Sequence, residues 1–339
     1  MLGRLSEIYG VSGDEGRVRA FIKKELAPYA DEMHTDRMGN LIVHKKGEGK
    51  KIMLDAHMDE VGLLVLGIRE DGLLAITGNS MDPRVLVSKR VVVGPNLVPG
   101  VIGAKAIHLQ SAADRESALK VSQLYVDIGA KDKEDAMSCV SVGDHICFTT
   151  KFSDFGEGLF KGKALDDRIG CALVMKLMMN NYDCDLYGVF TVQEEVGIRG
   201  AQAAAFSVQP DIAIAFEGTT ANDIDPKCDI GHVTKVGHGP AISFMDGGNI
   251  TRPQMFKALV SSAKEAGIKY QLRQGTRGRT DAGMAALAAS GCFAGGISVP
   301  TRYIHSPVSI ASWDDFNAAY ALADHFLANK KFLEVNANV

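Results

Sequence analysis

The chain has 339 residues, of which 46% are hydrophobic and 23% are charged, and its formal net charge is -4. These values are typical of a folded globular protein, and the length suits one large domain with a smaller one. Charges of both signs are interspersed and form no basic stripe of the kind that neutralises phosphates. Nucleic acid is therefore not an expected partner.

The sequence gives no sign of a membrane or secretory destination. No apolar run approaches the roughly 20 residues that cross a bilayer, and the N-terminus lacks the charged and apolar regions of a signal peptide. The cysteines have no Cys-x-x-Cys spacing and fit a reducing compartment. They are Cys139, Cys147, Cys171, Cys184, Cys228 and Cys292. We therefore expect a soluble, cytoplasmic protein with no membrane partner.

The first 66 residues predict two short amphipathic helices and then two short apolar strands. The strands, at residues 40–44 and 51–56, are separated by Gly47–Lys50, a spacing that favours a hairpin. From about residue 67 to residue 152 the pattern changes to closely spaced short strands with Gly and Pro turns. This stretch is predicted to form a small β-rich insert.

After the insert, apolar helices alternate with strands. Helices are predicted at 168–179, after Gly200, and at 253–266, 282–289 and 313–328; strands are predicted at 186–192, 211–216 and 293–299. Strands that alternate with crossover helices indicate a sheet with a parallel part, covered on both faces by helices. We therefore predict one discontinuous α/β domain of residues 1–66 and 153–339, with residues 67–152 inserted in it.

Histidines and acids recur where the predicted strands end, which is where α/β sheets carry their ligand sites. His57 and Asp59 share one side of an extended segment, so the carboxylate can orient the imidazole of a metal ligand. A buried histidine satisfied by a local acid is the structural alternative. Asp166 and Asp167 precede an apolar helix, and taken alone they are better explained as helix capping.

Glu194 and Glu195 follow an apolar strand, where two adjacent charges are costly to bury. One of them can bind a metal while its neighbour faces the water that the metal polarises, although a solvated acidic turn is the alternative. Glu217 and His305 also follow strands, and either one alone would be an ordinary loop residue. Together the histidines and acids suit a divalent ion such as zinc or cobalt. Asp281 is predicted to cap a helix, with a place near the site as the alternative.

With these residues in view, the sequence resembles the tetrahedral (TET) aminopeptidases, the glutamyl aminopeptidase group of co-catalytic dinuclear metallopeptidases. The resemblance covers nearly the whole chain. Four motifs carry it, and they come in the same order as in the family: Asp55–Gly62, Gly162–Arg168, Glu194–Gly197 and Tyr303–Pro307. Four motifs in one order are far more specific than any one of them.

The resemblance implies an architecture and an assembly. The fold would be a zinc-exopeptidase-like α/β domain, with a mixed, partly parallel sheet sandwiched by helices. The insert at 67–152 would be a small β-barrel-like dimerisation domain. Members of the family often assemble through this domain into dodecameric tetrahedra, so a homo-oligomer built from dimers is expected.

The resemblance also implies an activity, which is the release of N-terminal residues from peptides. Two divalent metal ions would be bound per chain, with zinc or cobalt expected and manganese as an alternative. His57 and Glu217 would bind the first ion, Glu195 and His305 the second, and Asp166 would bridge the two. A water between the metals would be the nucleophile, Glu194 would be its general base, and Asp59 would orient His57.

The sequence departs from the family pattern at two positions, and other functions compete with this one. Glu217 stands where the family commonly has Asp, and Arg279 interrupts a segment that is often Gly-Gly-Thr-Asp.

A dinuclear deacylase of N-acyl amino acids would need the same metals and base. A glycoside hydrolase could use Glu194 and Asp166 as paired acids, but the two histidines argue against it. A closed structural metal site is disfavoured because the set contains no cysteine.

Overall fold

The strands and helices come from a computed structural model that describes residues 1–78, 80–224 and 232–336; Cys228 lies outside these residues. The strands are β1 (Glu32–Thr35), β2 (Leu41–Lys45), β3 (Lys51–His57), β4 (Leu63–Ile68), β5 (Leu74–Thr77), β6 (Arg90–Val93), β7 (Val98–Ala104), β8 (Leu124–Asp127), β9 (His145–Phe148), β10 (Ser153–Phe155), β11 (Leu159–Gly162), β12 (Asp185–Thr191), β13 (Ile212–Thr220), β14 (Ala241–Ser243), β15 (Gln271–Leu272), β16 (Phe293–Thr301) and β17 (Ser309–Ser312). The helices are α1 (Leu2–Glu7), α2 (Gly16–Leu26), α3 (Ala112–Glu116), α4 (Lys133–Met137), α5 (Leu165–Met178), α6 (Arg199–Val208), α7 (Pro253–Glu265), α8 (Asp281–Leu287) and α9 (Trp313–Ala328). None of these helices is long and apolar enough to cross a membrane.

The largest sheet has eight strands in the order β1-β2-β12-β3-β13-β16-β14-β15. Its centre is parallel, because β3 pairs in parallel with β12 and β13, and β13 pairs in parallel with β16. The strands β2 and β14 join this centre in antiparallel pairs. The prediction of a mixed, partly parallel sheet is therefore confirmed.

Helices cover both faces of this sheet, as predicted. On one face α5, α7 and α9 share a hydrophobic core with apolar residues of β3, β13 and β16. On the other face α6 and α8 pack small alanine side chains against Met53 and Val189. Each crossover helix therefore buries its apolar stripe, and the carboxyl ends of the central strands are left free at one edge.

The predicted hairpin between β2 and β3 is wrong, because β12 lies between these two strands. The link between them passes over the start of β12, and a Cβ on Gly47 would lie only 2.1 Å from the carbonyl oxygen of Cys184. Glycine permits this close crossing. The true partner of β2 on its other side is β1, an edge strand with exposed polar residues that the sequence pattern did not indicate.

Residues of the predicted insert form a closed barrel with the strand order β4-β5-β8-β7-β6-β9. The barrel has its own hydrophobic core, which is separate from the cores of the large sheet. The barrel-like part of the fold prediction is therefore confirmed. The barrel strands run from Leu63 to Phe148, and the division at residues 67 and 152 stays a prediction.

Candidate metal centre

The carboxyl ends of the central parallel strands meet at one edge of the sheet, and the predicted site residues lie there. His57 is the last residue of β3, and Glu194 and Glu195 follow β12. Glu217 was expected just after its strand, but β13 continues to Thr220, so Glu217 lies inside the strand. Asp166 is in the first turn of α5, and His305 lies in the loop between β16 and β17.

The first group of candidate ligands is centred on the buried imidazole of His57. Its Nε2 lies 3.4 Å from Oδ1 of Asp166 and 3.7 Å from Oε2 of Glu217. Glu217 is only 5% exposed, and its other oxygen, Oε1, accepts a hydrogen bond from the backbone N–H of Asp281 at 3.1 Å. Nε2 of His57 therefore lies within 3.7 Å of an oxygen of each of these two carboxylates.

The second group is centred on His305. Its Nε2 lies 3.4 Å from Oδ2 of Asp166 and 3.4 Å from Oε2 of Glu195. The two oxygens of Asp166 thus point to different histidines, as a carboxylate that bridges two ions would require. Glu194 lies beside this bridge, with its Oε2 4.0 Å from Nε2 of His57.

The spacing of these atoms fits metal ions. Oxygen and nitrogen ligands about 2.0–2.2 Å from a tetrahedral ion lie roughly 3.4 Å from one another. Two buried oxygens, Oδ1 of Asp166 and Oε1 of Glu195, have no hydrogen-bond partner among the described residues. Buried carboxylate oxygens rarely lack a partner, so these spare lone pairs are suited to binding a cation.

Asp167 also lies close to His57 and Glu217, within the reach of a shared ion. Both of its oxygens are already used, however. Oδ2 accepts from the backbone N–H of His57 at 3.2 Å, and Oδ1 accepts from that of Gly170 at 2.8 Å. Asp167 therefore fixes the end of β3 through its hydrogen bonds. The carboxylate of Asp166, which keeps an unpartnered oxygen, is the better candidate for a bridging ligand.

Asp59 is buried and joins the two acidic segments. Its Oδ1 accepts from the backbone N–H of Glu194 at 3.0 Å, and its Oδ2 accepts from that of Glu195 at 3.2 Å. The hydroxyl of Ser12 donates to the same Oδ2 at 2.6 Å. Nδ1 of His57 lies 3.5 Å from Oδ1 of Asp59 and 3.0 Å from its backbone carbonyl oxygen. Asp59 thus positions the glutamates at least as directly as it orients the histidine.

The backbone around the site is strained at residues that are not glycine. Gln193, directly before the two glutamates, has φ 57°, and Tyr303 and His305 have φ 59° and 56°. Non-glycine residues with such left-handed angles cost on the order of 1 kcal/mol or more each and concentrate at functional sites. Gly218 serves the site differently, because a Cβ there would lie 3.0 Å from Cβ of Asp166.

The crowding of acids changes their proton affinities. Burial raises the pKa of Glu194 and Glu217 well above the ordinary glutamate value, and it raises the pKa of Glu195 to about 7. Burial alone would lower the pKa of His305, but the carboxylates of Asp166 and Glu195 raise it to about 9. The centre therefore attracts cations, whether these are protons or metal ions.

A second pair of acids, Asp55 and Asp281, lies behind the centre. Both are 1% exposed; Oδ2 of Asp281 accepts from the hydroxyl of Thr191 at 2.6 Å, and burial raises the pKa of Asp281 to about 6. The alternative placement of Asp281 near the site is the one observed. Asp55 was missed, although its position two residues before His57 in an apolar strand puts both side chains on one face.

A cavity of about 360 Å³ opens over the centre. Four of the acids line it: Asp166, Glu194, Glu195 and Glu217. His305 and two arginines, Arg273 and Arg279, complete its charged surface. The arrangement offers a substrate a concave site with candidate metal ligands at its base.

Comparison with known proteins identifies the family. The M42 glutamyl aminopeptidase family matches residues 39–322. The chain belongs to this family. A protein of Acetivibrio thermocellus, provisionally named an aminopeptidase, is 41% identical to this M42 peptidase over 330 residues, 95% of this chain and 96% of its own. A TET aminopeptidase from a marine sediment thaumarchaeon is 33% identical and has a TM-score of 0.94, with 98% of each chain covered.

A TET peptidase of Pyrococcus horikoshii is 32% identical, with a TM-score of 0.86 over 96% of this chain and 98% of its own. It is described as able to assemble into a tetrahedron or a large octahedral shell. The resemblance seen in the sequence is thereby confirmed. This M42 protein is a metal-dependent aminopeptidase, and the deacylase and glycosidase alternatives are not favoured.

Proposed function

We propose that this aminopeptidase binds two divalent ions through His57, Asp166 and Glu217 on one side and through Asp166, Glu195 and His305 on the other. The observation that carries the proposal is the division of the two Asp166 oxygens between the two histidines, each at 3.4 Å. The unpartnered oxygens of Asp166 and Glu195 support it. Glu217 replaces the family's usual aspartate and has the hydrogen-bonded, buried position of a ligand.

The metals, when bound, would activate water and polarise the scissile carbonyl. Glu194 is the general base in this proposal: its Oε2 lies near the candidate ligands, and burial raises its pKa, which makes its carboxylate a stronger proton acceptor. The same carboxyl group would deliver the proton to the leaving amine. The carboxylate of Asp59 accepts a hydrogen bond from the backbone N–H of Glu194 and so holds this part of the backbone in place.

Selection for a free N-terminus follows from the charge of the cavity. Four carboxylates line it, and a carboxylate oxygen that is not bound to a metal ion would attract a substrate ammonium group by up to about 4 kcal/mol at short range in a partly buried site. An acylated amine has no charge and would lose this attraction. The cavity is therefore better suited to an exopeptidase than to a deacylase of N-acyl amino acids.

A panel of aminoacyl p-nitroanilides tests the activity. Metal-free protein refilled with zinc, cobalt or manganese should hydrolyse at least one free-amine substrate, and a chelator should abolish the reaction. The matched N-acetylated substrates should not react. Hydrolysis of the acetylated forms, or activity that survives chelation, would contradict the proposal.

The metal content can be tested without activity. Zinc and cobalt are the ions proposed, with manganese possible, because the mixed nitrogen and oxygen ligands suit all three. Elemental analysis should give two ions per chain, and refilling should raise the unfolding temperature because only the folded chain offers the site. His305→Ala should reduce the stoichiometry to one ion. An unchanged content of two ions would remove His305 from the ligand set.

We also propose that the chain forms a homo-oligomer, with a dodecamer built from dimers as the proposed size, and that the insert at 67–152 is the dimerisation domain. The assemblies described for the Pyrococcus relative support this, as do exposed apolar side chains on the barrel such as Leu66, which is 63% exposed. Light scattering should give a mass well above one chain, and Leu66→Glu should lower it. A monomeric wild-type protein would contradict the proposal.

The cytoplasm is the location we propose for this protein. The cysteines among the described residues are unpaired. They fit a reducing compartment, where thiols stay reduced. Fractionation of the native host should place the activity in the cytoplasm, and recovery from the cell exterior would contradict this.

A further inference from the structure

One wall of the cavity over the metal centre is formed by Gly278, Arg279 and Thr280, which lie between β15 and α8. This is the wall on which the sequence differs from the usual family pattern. It carries a positive charge at the mouth of a site whose base is crowded with carboxylates.

The backbone of this wall is held firmly. The guanidinium of Arg273, a residue only 9% exposed, donates to Oγ1 of Thr219 at 3.0 Å and to the carbonyl oxygen of Arg277 at 2.9 Å. The hydroxyl of Thr280 donates to Oδ2 of Asp246 at 2.8 Å. Arg273 therefore uses its donors within the segment and on β13, and it holds the segment in position.

Arg279 is different, because its side chain is held in place while its guanidinium donors have no partner among the described residues. A Cβ built on Gly247 or Gly248 would lie 3.5 Å from Cγ of Arg279, so the stem of the arginine rests on bare glycine backbone. The carbonyl oxygen of Gly278 accepts from the N–H of Gly247 at 2.6 Å, which fixes the preceding residue. The guanidinium makes no hydrogen bond or ion pair with the described residues.

The charge balance of the cavity defines the ligand. Two divalent ions would balance the four carboxylates that line the cavity: Asp166, Glu194, Glu195 and Glu217. The guanidinium of Arg279 would then remain as an uncompensated charge with free donors. A guanidinium with free, planar donors matches a carboxylate better than any other group of a peptide.

We infer that Arg279 is the receptor for a carboxylate of the substrate, held close to the scissile bond. The inference rests on the proposed function. The cavity of about 360 Å³ is near the lower end of the size range of small-ligand pockets, so this carboxylate must belong to the first residues of the peptide. It is either the side chain of an acidic residue or the C-terminal carboxylate of a very short peptide.

Paired substrates separate these two sources. Glutamyl and glutaminyl p-nitroanilide differ only in the side-chain charge, and Leu-Gly and Leu-Gly-amide differ only in the terminal charge. Arg279→Gln should lower kcat/KM about tenfold to hundredfold for the charged member of one pair, the range expected for a charge-assisted hydrogen bond. The neutral member should change by less than about threefold. Arg37→Gln, a change of an exposed arginine in the turn between β1 and β2, is the matched control and should leave every substrate unaffected.

Salt and direct binding complete the test. The preference of the wild-type protein for the charged substrate should shrink as salt is raised, because an exposed guanidinium is screened. Calorimetry with glutamate and glutamine, and with Leu-Gly and its amide, measures the same preference without catalysis. If no substrate is hydrolysed, the proposed function fails, and the calorimetry still decides the inference. The inference would be overturned if Arg279→Gln and the wild-type protein showed the same charged-to-neutral ratio of kcat/KM and the same charged-to-neutral ratio of binding affinity.

Discussion

Two buried charge clusters lie on either side of the short segment that follows β3, and they are built differently. In the first, Glu60 is paired with the buried cations of Lys163, at 2.5 Å, and Arg168, at 3.5 Å. Arg168 also donates to the backbone carbonyls of Leu5 at 2.6 Å and Met58 at 3.0 Å. In this cluster the charges are paired, and it ties the N-terminal segment to α5.

The metal centre begins one residue earlier, at Asp59, and its charges are not balanced. Acids outnumber the histidines, and oxygens of Asp166 and Glu195 are left without partners among the described residues. A folded chain normally pairs its buried charges, because an unpaired one costs several kcal/mol. A cluster whose buried charges all have partners holds the fold, whereas a cluster with unpartnered acids is suited to binding a ligand.

The first prediction should produce the largest effect in the unbalanced cluster. Glu194→Gln removes the proposed base but keeps the size of the side chain, so kcat should fall about 10²–10⁴-fold. Stability should not fall, because the variant keeps the shape of the side chain and removes a buried acid from a cluster that is already crowded with acids. Steady-state rates and thermal unfolding measure the two effects.

Elemental analysis of Glu194→Gln is the control, since the variant should still contain both metals. Glu194→Asp, which retains a carboxylate on a shorter arm, should recover part of the rate. If kcat of Glu194→Gln stays within about tenfold of the wild-type value, another group is the base.

The second prediction concerns the paired cluster of Glu60, Lys163 and Arg168, where we expect a loss of stability. Arg168→Met removes one of the two cations beside Glu60 and leaves the backbone carbonyls that Arg168 serves without a donor, so it should lower the free energy of unfolding by about 3–5 kcal/mol. Urea unfolding of the metal-free protein measures this. Lys24→Met, at an exposed position of α2, should change stability by less than about 0.5 kcal/mol. A loss for Arg168→Met no larger than that of the control would show that the paired cluster does not hold the fold.

The sequence predicted most of the fold, because crossover helices and apolar strands have clear periods. It misplaced β3 beside β2, since a local turn signal cannot reveal that β12, far along the chain, enters between them. It missed β1, whose exposed polar residues do not alternate in the pattern of a half-buried strand.

The candidate site was found by position. His57, Glu194 and His305 all follow strands, and parallel strands bring their carboxyl ends together. Ser12 could not be found in this way, because its contact with Asp59 joins residues 47 positions apart. Side-chain contacts between distant loops leave no local pattern in the sequence.

The third prediction uses pH to expose the imbalance behind the centre. Burial raises the pKa of Asp281 to about 6, above the value of about 3.9 for an unfolded aspartate. The folded chain therefore holds this proton more tightly. The resulting stabilisation is complete below about pH 4 and is lost as the pH rises through about 6.

Asp281→Asn should lack this loss, since its amide does not ionise. In chelator, the stability of the wild-type protein relative to Asp281→Asn should fall by about 1–3 kcal/mol between pH 4 and pH 6.5. Urea unfolding across this range measures the difference. Glu48→Gln, at an exposed loop position, should show no comparable trend. A difference that is flat or rises with pH would mean that folding does not raise the pKa of Asp281.

The smallest expected effect comes from Ser12, which contacts the unbalanced cluster without belonging to it. Its hydroxyl is one of three donors to the carboxylate of Asp59, and the other two are the backbone N–H groups of Glu194 and Glu195. Ser12→Ala removes one charge-assisted hydrogen bond and loosens this support. Because the base is then held less well while the substrate cavity is intact, kcat should fall about threefold to tenfold with KM nearly unchanged. Ser12→Thr keeps the hydroxyl and should restore the rate. A rise in KM at constant kcat would instead assign Ser12 to substrate binding, because its side chain also lines the small pocket beside Glu195.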